Sequence, residues 1–512
     1  MSNRDTDIAR RFHELTNHSV QSVRQSTHVM DPDNLPLPYK IYTTLDPIPL
    51  PPPGALDVPT QPALDAIAAT SASGGALDLA AIARLCYHSN GVTRRRVLGN
   101  RAIEFRACAC TGALYHMEIY VVCGDLPDLP AGVYHYGAHD HSLRRLRTGD
   151  YRRALLDATG GEPSLAEARA VLGVTSTFWR NAWKYQTRAY RHTFWDTGTM
   201  LANTLAVASA AGIPATLVLG FADDPVNRLL GADPDEEATV SLVALGRGAR
   251  PPGDAPPIAT LDLPTEPLSH YEIEFPETPR MQRASSLEDE SAASSWRGEL
   301  PRRQMPEPRG ELIPLTPLGD GELPREPIEA VVRRRGSTRR FAHTPIGFEL
   351  LSTALDRATR GVVGDCLSPE TSPLSTAYLI VNDVAGLASG AYVLHRDRAA
   401  LERLAGIEQD RARAVAGRLA LGQDLGADAA VNLYWMIDLD PVLQRFANRG
   451  YRVAQLDAAI TAGKLYLAAY ALRVGATGLT FFDDDVTTFF SPHAAGMSVM
   501  FLMALGKPRR RR

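Results

Sequence analysis

No run of about 18 apolar residues occurs anywhere in the 512-residue chain, so no segment is expected to cross a bilayer as a helix. The opening Met1-Ser-Asn-Arg-Asp5 has no apolar signal core, and the expected location is cytoplasmic. Cysteine is scarce. The five present (Cys86, Cys108, Cys110, Cys123 and Cys366) are an odd number with no disulfide framework, which fits a reducing compartment. A net charge of −4 offers no basic surface for general nucleic-acid binding. A Rossmann glycine fingerprint is also missing. What the chain does have is 45% hydrophobic content, enough core for two domains.

It also repeats itself. Tyr190, Arg191, Asp196, Phe221 and Asp224 are matched at identical spacing by Tyr451, Arg452, Asp457, Phe482 and Asp485, and Leu129–Tyr134 by Leu387–Tyr392. An offset of about 260 residues is too long for a solenoid and suits two homologous domains. Two such copies in one chain are expected to pack as a pseudo-dimer, because a two-fold interface requires a self-complementary surface.

The division expected along the chain is an extended, Pro-rich N-terminal arm over 1–60, a first domain over 61–247, a Pro/Ser/Glu-rich linker over 248–325 and a second domain over 326–512. That linker, in which Ser285–Ser295 is low in apolar residues, is expected to be partly disordered. Strands are expected over Ile103–Phe105, Met117–Val122, Ala377–Val381 and Ser498–Leu505. Helices are expected over Asp196–Gly212, Phe348–Arg357 and Ala458–Val474.

The candidate chemistry is divided between the copies. At the start of the second, Arg335, Ser337 and Arg339 stand at alternate positions, spaced to set two guanidiniums and a hydroxyl around one phosphate. With Phe341, these residues resemble the Arg-x-Ser-x-Arg/Lys-x-Phe opening of the flavin nitroreductases, which grips the phosphate of FMN. The resemblance implies an α+β fold and extends to the Gly506-Lys507-Pro508-Arg509 segment, equivalent to basic residues that reach the same phosphate in that family. The first copy, over about Ala63–Leu85, has no such opening. It carries instead Arg106-Ala-Cys-Ala-Cys-Thr-Gly-Ala-Leu-Tyr-His-Met-Glu118, similar to the loop that SagB-type azoline dehydrogenases lay against the isoalloxazine. Ala109, Cys110 and Thr111 replace Pro, Ser and Gly of that pattern, and His116 replaces Pro. Ser368–Thr376 in the second copy does not match it.

The resemblance therefore implies one FMN site per chain, assembled between the copies. Arg335, Ser337, Arg339, Lys507 and Arg509 would hold the phosphate, with Arg106, Cys110, Thr111 and Gly112 against the ring and Thr480 and Phe481 at its N5 edge. Lys184-Tyr185 matches a Lys-Tyr pair implicated in proton abstraction by azoline dehydrogenases, and a base beside the ring is what aromatising an azoline demands. The implied substrate is peptide-like, with a cyclodehydratase as the partner that delivers it, since no winged-helix leader-binding module is evident. A homodimer of such chains remains open.

Three features invite other readings. Cys108 and Cys110 have no second ligand pair at metal-binding spacing, and His135, His139 and His141 suit a hairpin, so no metal is expected. Asp196 and Asp457 recur on corresponding helices, which favours architecture over catalysis. An NAD(P)H-fed reductase of nitro or quinone compounds, and a scaffold whose activity has been lost, stand as alternatives to the dehydrogenase.

Overall fold

The computed structural model describes residues 3–53, 61–98, 101–248 and 250–509. Residues 54–60 of the arm and Arg510–Arg512 of the basic tail lie outside the described residues. Each half is built on a seven-stranded sheet. The first runs Ile48–Pro49, Ser142–Thr148, Gly132–Gly137, Met117–Cys123, Ala170–Thr177, Glu237–Leu245, Ala215–Val218, with all neighbours antiparallel. The second runs Leu312–Pro314, Ala400–Gly406, Gly390–His395, Thr376–Val381, Val431–Ile437, Ser498–Gly506, Gly475–Leu479. Strand for strand the order is the same: the fold is α+β, in tandem.

Each sheet carries one long helix, Ala189–Ala210 in the first half and Arg449–Ala471 in the second, and the two helices pack on each other. Both begin well before the apolar runs that predict them, because their first turns are rich in Arg, Tyr and His. Both are buried almost all round, which an amphipathic surface helix is not. At the crossing a Cβ on Gly198 would lie 2.5 Å from Cβ of Ala459, and one on Gly463 would lie 2.7 Å from Cβ of Ala202. Gly198 and Ala459 share a repeat position, as do Ala202 and Gly463. Each position thus packs on its own counterpart, the mark of a two-fold contact.

The buried charges follow the same rule. Arg188, immediately before the first long helix, and Arg191 within it reach Asp483 of the second half at 3.0 and 2.6 Å. Arg449 and Arg452 of the second helix reach Asp223 of the first half at 2.5 and 2.7 Å. All six are buried. Identical spacing had paired Asp224 with Asp485. The structure instead equates Asp223 with Asp483, because the first half has one extra residue between its edge strand and the following helix.

The linker is a second arm. Helix Glu277–Ala284 is followed by Ser285, whose hydroxyl donates to Met281 O at 2.7 Å. Helix Asp7–Leu15 is followed by Thr16, which donates to Phe12 O at 2.7 Å. Thr16 receives Arg191 and Ser285 receives Arg452. Strands Ile48–Pro49 and Leu312–Pro314 then close equivalent sheet edges. Ser285–Ser295 is not disordered: it includes most of helix Glu290–Trp296, capped by Asp289 and anchored by buried Ala293 and Trp296. A segment poor in apolar residues is held by docking two of them.

Burial by itself would raise the carboxyls of Asp223 and Asp483, yet the paired guanidiniums prevail and hold both below the usual carboxylate range. Their stabilisation is therefore complete above the unfolded value of about pH 4 and is lost as pH falls through the lowered folded value. Asp483→Ala, which strands two buried arginines, is expected to cost about 3–5 kcal/mol in urea unfolding. A loss below about 1 kcal/mol would show that the cluster does not hold the halves together.

Candidate functional site

The loop from Arg106 to His116 enters the central strand of the first sheet and is fastened by Asp196 on the long helix. The Asp196 carboxylate accepts from Thr111 N–H (2.9 Å), Thr111 Oγ1 (2.8 Å) and Cys110 Sγ (3.2 Å). His116 Nε2 lies 2.8 Å from the same carboxylate, and its Nδ1 lies 2.8 Å from Ser176 Oγ. Asp457 does the same work in the second half, accepting from Ser372 Oγ at 2.5 Å and Leu374 N–H at 2.7 Å. Both recurrent aspartates are loop anchors, and Ser368–Thr376 is the positional counterpart of the first-half loop although the sequences do not match.

Tight folding of the first loop requires left-handed backbone at Gly112 (φ 68°), Ala113 (φ 55°) and Tyr115 (φ 46°). At Gly112 a Cβ would lie 3.0 Å from the Tyr185 hydroxyl, so glycine lets that phenol close over the loop. Tyr185 ends helix Phe178–Tyr185, where the chain turns through Gln186 at φ 51°. Its ring meets that of His192 edge-on at 4.6 Å. The half-buried Lys184 holds Nζ 5.4 Å from the Tyr185 ring centre. Beside them the arm crosses, with His28 Nε2 2.9 Å from Trp183 O and Trp183 Nε1 donating to Asp31 O at 3.1 Å.

The protonation states are set by this packing. Burial, then the Asp196 charge, push the Tyr185 phenol above its ordinary value, although Arg339 opposes them. Burial, then the same Asp196 charge, also raise the Cys110 thiol well above its ordinary value, so it stays a thiol.

The second half supplies the remaining candidates. Arg335 crosses to the first half, donating from Nε to Ala107 O (3.1 Å) and from Nη2 to Arg106 O (3.3 Å), and lies over Tyr466. Ser337 Oγ accepts from Tyr466 at 2.9 Å and keeps its own proton to donate. Arg339 is exposed on the same stretch. The C-terminal segment runs alongside, with Ala342 N–H donating to Lys507 O (2.8 Å) and Arg509 N–H to Arg340 O (3.0 Å). Thr480 follows the edge strand, and its buried hydroxyl has no hydrogen-bond partner.

Two candidates sit differently from what the sequence suggests. The Arg106 guanidinium turns away from Arg335 to Pro38 O and Met117 O, between the rings of Tyr39 and Tyr115. Its side chain anchors the arm, and only its carbonyl faces the second half. The Phe481 ring is fully buried beneath Arg188, so only its backbone is available to a ligand. Sequence reasoning missed Tyr466, Tyr470 (whose hydroxyl bonds Gly336 O) and Arg94, which donates to Arg335 O at 3.1 Å. The two tyrosines had a signal. Their repeat counterparts are Leu205 and Ser209, so they are polar rings present in one half alone. Arg94 had none.

A model of the Nitroreductase family matches residues 106–247 and 332–507. The chain is 26% identical over 171 residues to MJ1384 of Methanocaldococcus jannaschii, named a nitroreductase, covering 33% of this chain and 81% of that protein. It is 28% identical over 147 residues to the trifolitoxin-processing protein TfxB of Rhizobium leguminosarum bv. trifolii, covering 28% of this chain but only 39% of that one. A crystal structure from Anabaena variabilis, also described as a nitroreductase, superposes with a TM-score of 0.77 at 25% identity. It covers 98% of this chain and 99% of its own, so the tandem arrangement is common to both.

Asp196→Ala is expected to free the loop and remove a charge that adds to burial in raising the Cys110 thiol. Alkylation of Cys110 by iodoacetamide, followed by peptide mass spectrometry, should accelerate about tenfold or more, about what 1.4 kcal/mol of lost restraint gives. An unchanged rate would deny Asp196 its anchoring role.

Proposed function

Because this chain belongs to the nitroreductase family, we propose that it is an FMN-dependent oxidoreductase that converts an azoline-type ring in a peptide-like substrate to the azole. The observation that most supports this reading is complementarity between the halves. The phosphate-binding pattern occurs only in the second, the ring-facing loop only in the first, and Arg335 of the one bonds the backbone that leads into the other.

The residues present suit the cofactor. Among the described residues Arg339, Lys507 and Arg509 form no salt bridge, and Ser337 has a hydroxyl proton to give, a donor set matched to a phosphate dianion. The unpartnered Thr480 hydroxyl suits a polar ring edge. Cys110, Thr111 and Gly112 would lie against the ring face, where small side chains permit close approach. Arg106 would act only by holding the arm. Bound here, FMN supplies an acceptor for a hydride.

The chain's own residues would handle the proton. Aromatising an azoline removes a hydride from one ring carbon and a proton from its neighbour. A Tyr185 phenol held protonated donates a hydrogen bond but does not accept that proton. The role falls to Lys184, whose amine would take that proton. Tyr185 and Gly112 would orient the substrate, and the arm at His28 and Asp31 would shield the base from water. Likeness to a toxin-processing protein favours a role in maturing a natural product, with a cyclodehydratase supplying the azoline and oxygen as final electron acceptor.

A second reading, reduction of nitro or quinone compounds by NAD(P)H, draws on the names of MJ1384 and the Anabaena protein. A third, a scaffold without activity, draws on the altered Ala109–Thr111 segment. Gently purified chain is expected to release one FMN on acid treatment and to oxidise an azoline peptide without NADH. Lys184→Ala should keep the FMN and lose about 10²–10⁴-fold in turnover. NADH oxidation coupled to a quinone, with the azoline untouched, would establish the reductase instead; a colourless chain that takes up no FMN would establish the scaffold.

A further inference from the structure

The two-fold relation between the halves implies a second pocket position, opposite the site above, with the roles of the halves exchanged. Its phosphate end has been lost. Pro62 and Pro327 bridge one another and each opens a short helix, Ala63–Ala68 and Ile328–Arg334. Counted from those prolines, Thr70, Ala72 and Gly74 occupy the places of Arg335, Ser337 and Arg339. A cavity of only about 50 Å³ remains there, lined by Thr70, Ser71 and Lys464 among others.

The ring end has been taken over by the chain itself. Edge strands Ala215–Val218 and Gly475–Leu479 occupy matching places in their sheets, so Leu219 follows one as Thr480 follows the other. In the first pocket the buried Thr480 hydroxyl is unpartnered. In the second, the buried carboxylate of Asp365, on the second half's own loop, accepts from Leu219 N–H at 3.0 Å and Gly220 N–H at 2.7 Å. Val363 O and Asp365 N–H continue the pairing, each bonding Leu217 at 3.0 Å. A Cβ on Gly220 would lie 2.9 Å both from Asp365 Oδ2 and from Trp296 Cε3, so carboxylate and indole sit together against this backbone. Trp296 is locked in turn, its Nε1 donating to Phe446 O at 3.0 Å.

We infer that the second pocket is closed by the chain's own Asp365 carboxylate and Trp296 indole, which take the backbone donors and the ring space a flavin would need. The arms support this. Helix Glu290–Trp296 follows the linker helix as Val20–Gln25 follows the N-terminal one. The first buries Ala293 and Trp296, whereas the second buries nothing and leaves Val20 and Val23 exposed. One arm's second helix is therefore docked while its counterpart stays exposed. Burial outweighs the two N–H donors and raises the Asp365 carboxyl to about 6. That is the behaviour of a group held in a space emptied of water.

This inference depends on the flavin reading only for the identity of the excluded ligand, and hydrogen–deuterium exchange with mass spectrometry separates the two. In the full chain the peptide covering Leu217–Ala222 should be protected without any flavin. Asp365→Ala and, as a milder change, Asp365→Asn should raise its exchange at least tenfold without altering the peptide around Thr480–Phe481. FMN added to flavin-free chain should slow only the Thr480–Phe481 peptide, at one FMN per polypeptide. Two FMN per polypeptide, slowing of both peptides by FMN, or Leu217–Ala222 exchange indifferent to Asp365 would overturn the closure. Absence of any FMN response with intact Asp365-dependent protection would overturn the flavin reading and leave the closure standing.

Discussion

The molecule depends on a helix crossing too tight for side chains, locked by charge. Gly198 and Gly463 admit the two long helices to near-backbone contact, and on either side two arginines of one half grip an aspartate of the other. Charges buried like these are costly unless paired, so neither half can present its helix to water or to another surface without exposing or stranding them. That constraint makes the halves obligate partners. It also fixes the relative position of everything carried on the helices, including Asp196 and, through its loop, Cys110 and Thr111.

A symmetric frame has been put to asymmetric use. The same helical position holds Tyr466 against Ser337 in one half and Leu205 in the other. The same loop is tied by an aspartate in both, yet Tyr185 closes over it in the first and it sends Asp365 onto a neighbouring sheet edge in the second. Duplication made this possible. Once both halves reside in one chain, each pocket can be altered without altering the other, whereas in a dimer of identical chains any substitution falls on both.

Polar groups in the first pocket are tuned by the frame more than by their neighbours in sequence. Asp196 fastens a loop and, second to burial, adds to the upward shift of a thiol and a phenol. The arm supplies carbonyls to the arginines and covers the helix that ends in Lys184 and Tyr185. A Pro-rich arm, expected to be extended but carrying two helices, thereby becomes part of both the interface and the site.

Much was legible in the sequence because it depended on local pattern. The duplication shows in recurring residues, the fold class in the resemblance carried by Arg335, Ser337, Arg339 and Phe341, and the recurrence of Asp196 and Asp457 in their identical spacing. Other features required tertiary structure. The linker around Ser285–Ser295 reads as partly disordered because its few apolar residues find their partners on segments distant in sequence. Arg106 reads as a ligand because nothing local says that Tyr39 and Pro38 will capture its guanidinium. The one-residue shift that makes Asp223 the partner of Arg449, and the capture of Leu219 and Gly220 by Asp365, join residues more than a hundred positions apart. Sequence by itself determined that there are two related halves and which motifs each retains, since propensity and periodicity act over a few residues. Only the tertiary structure decided which motifs face each other and which pocket is filled, because those outcomes follow from burial and charge pairing between segments that meet only once the chain has folded.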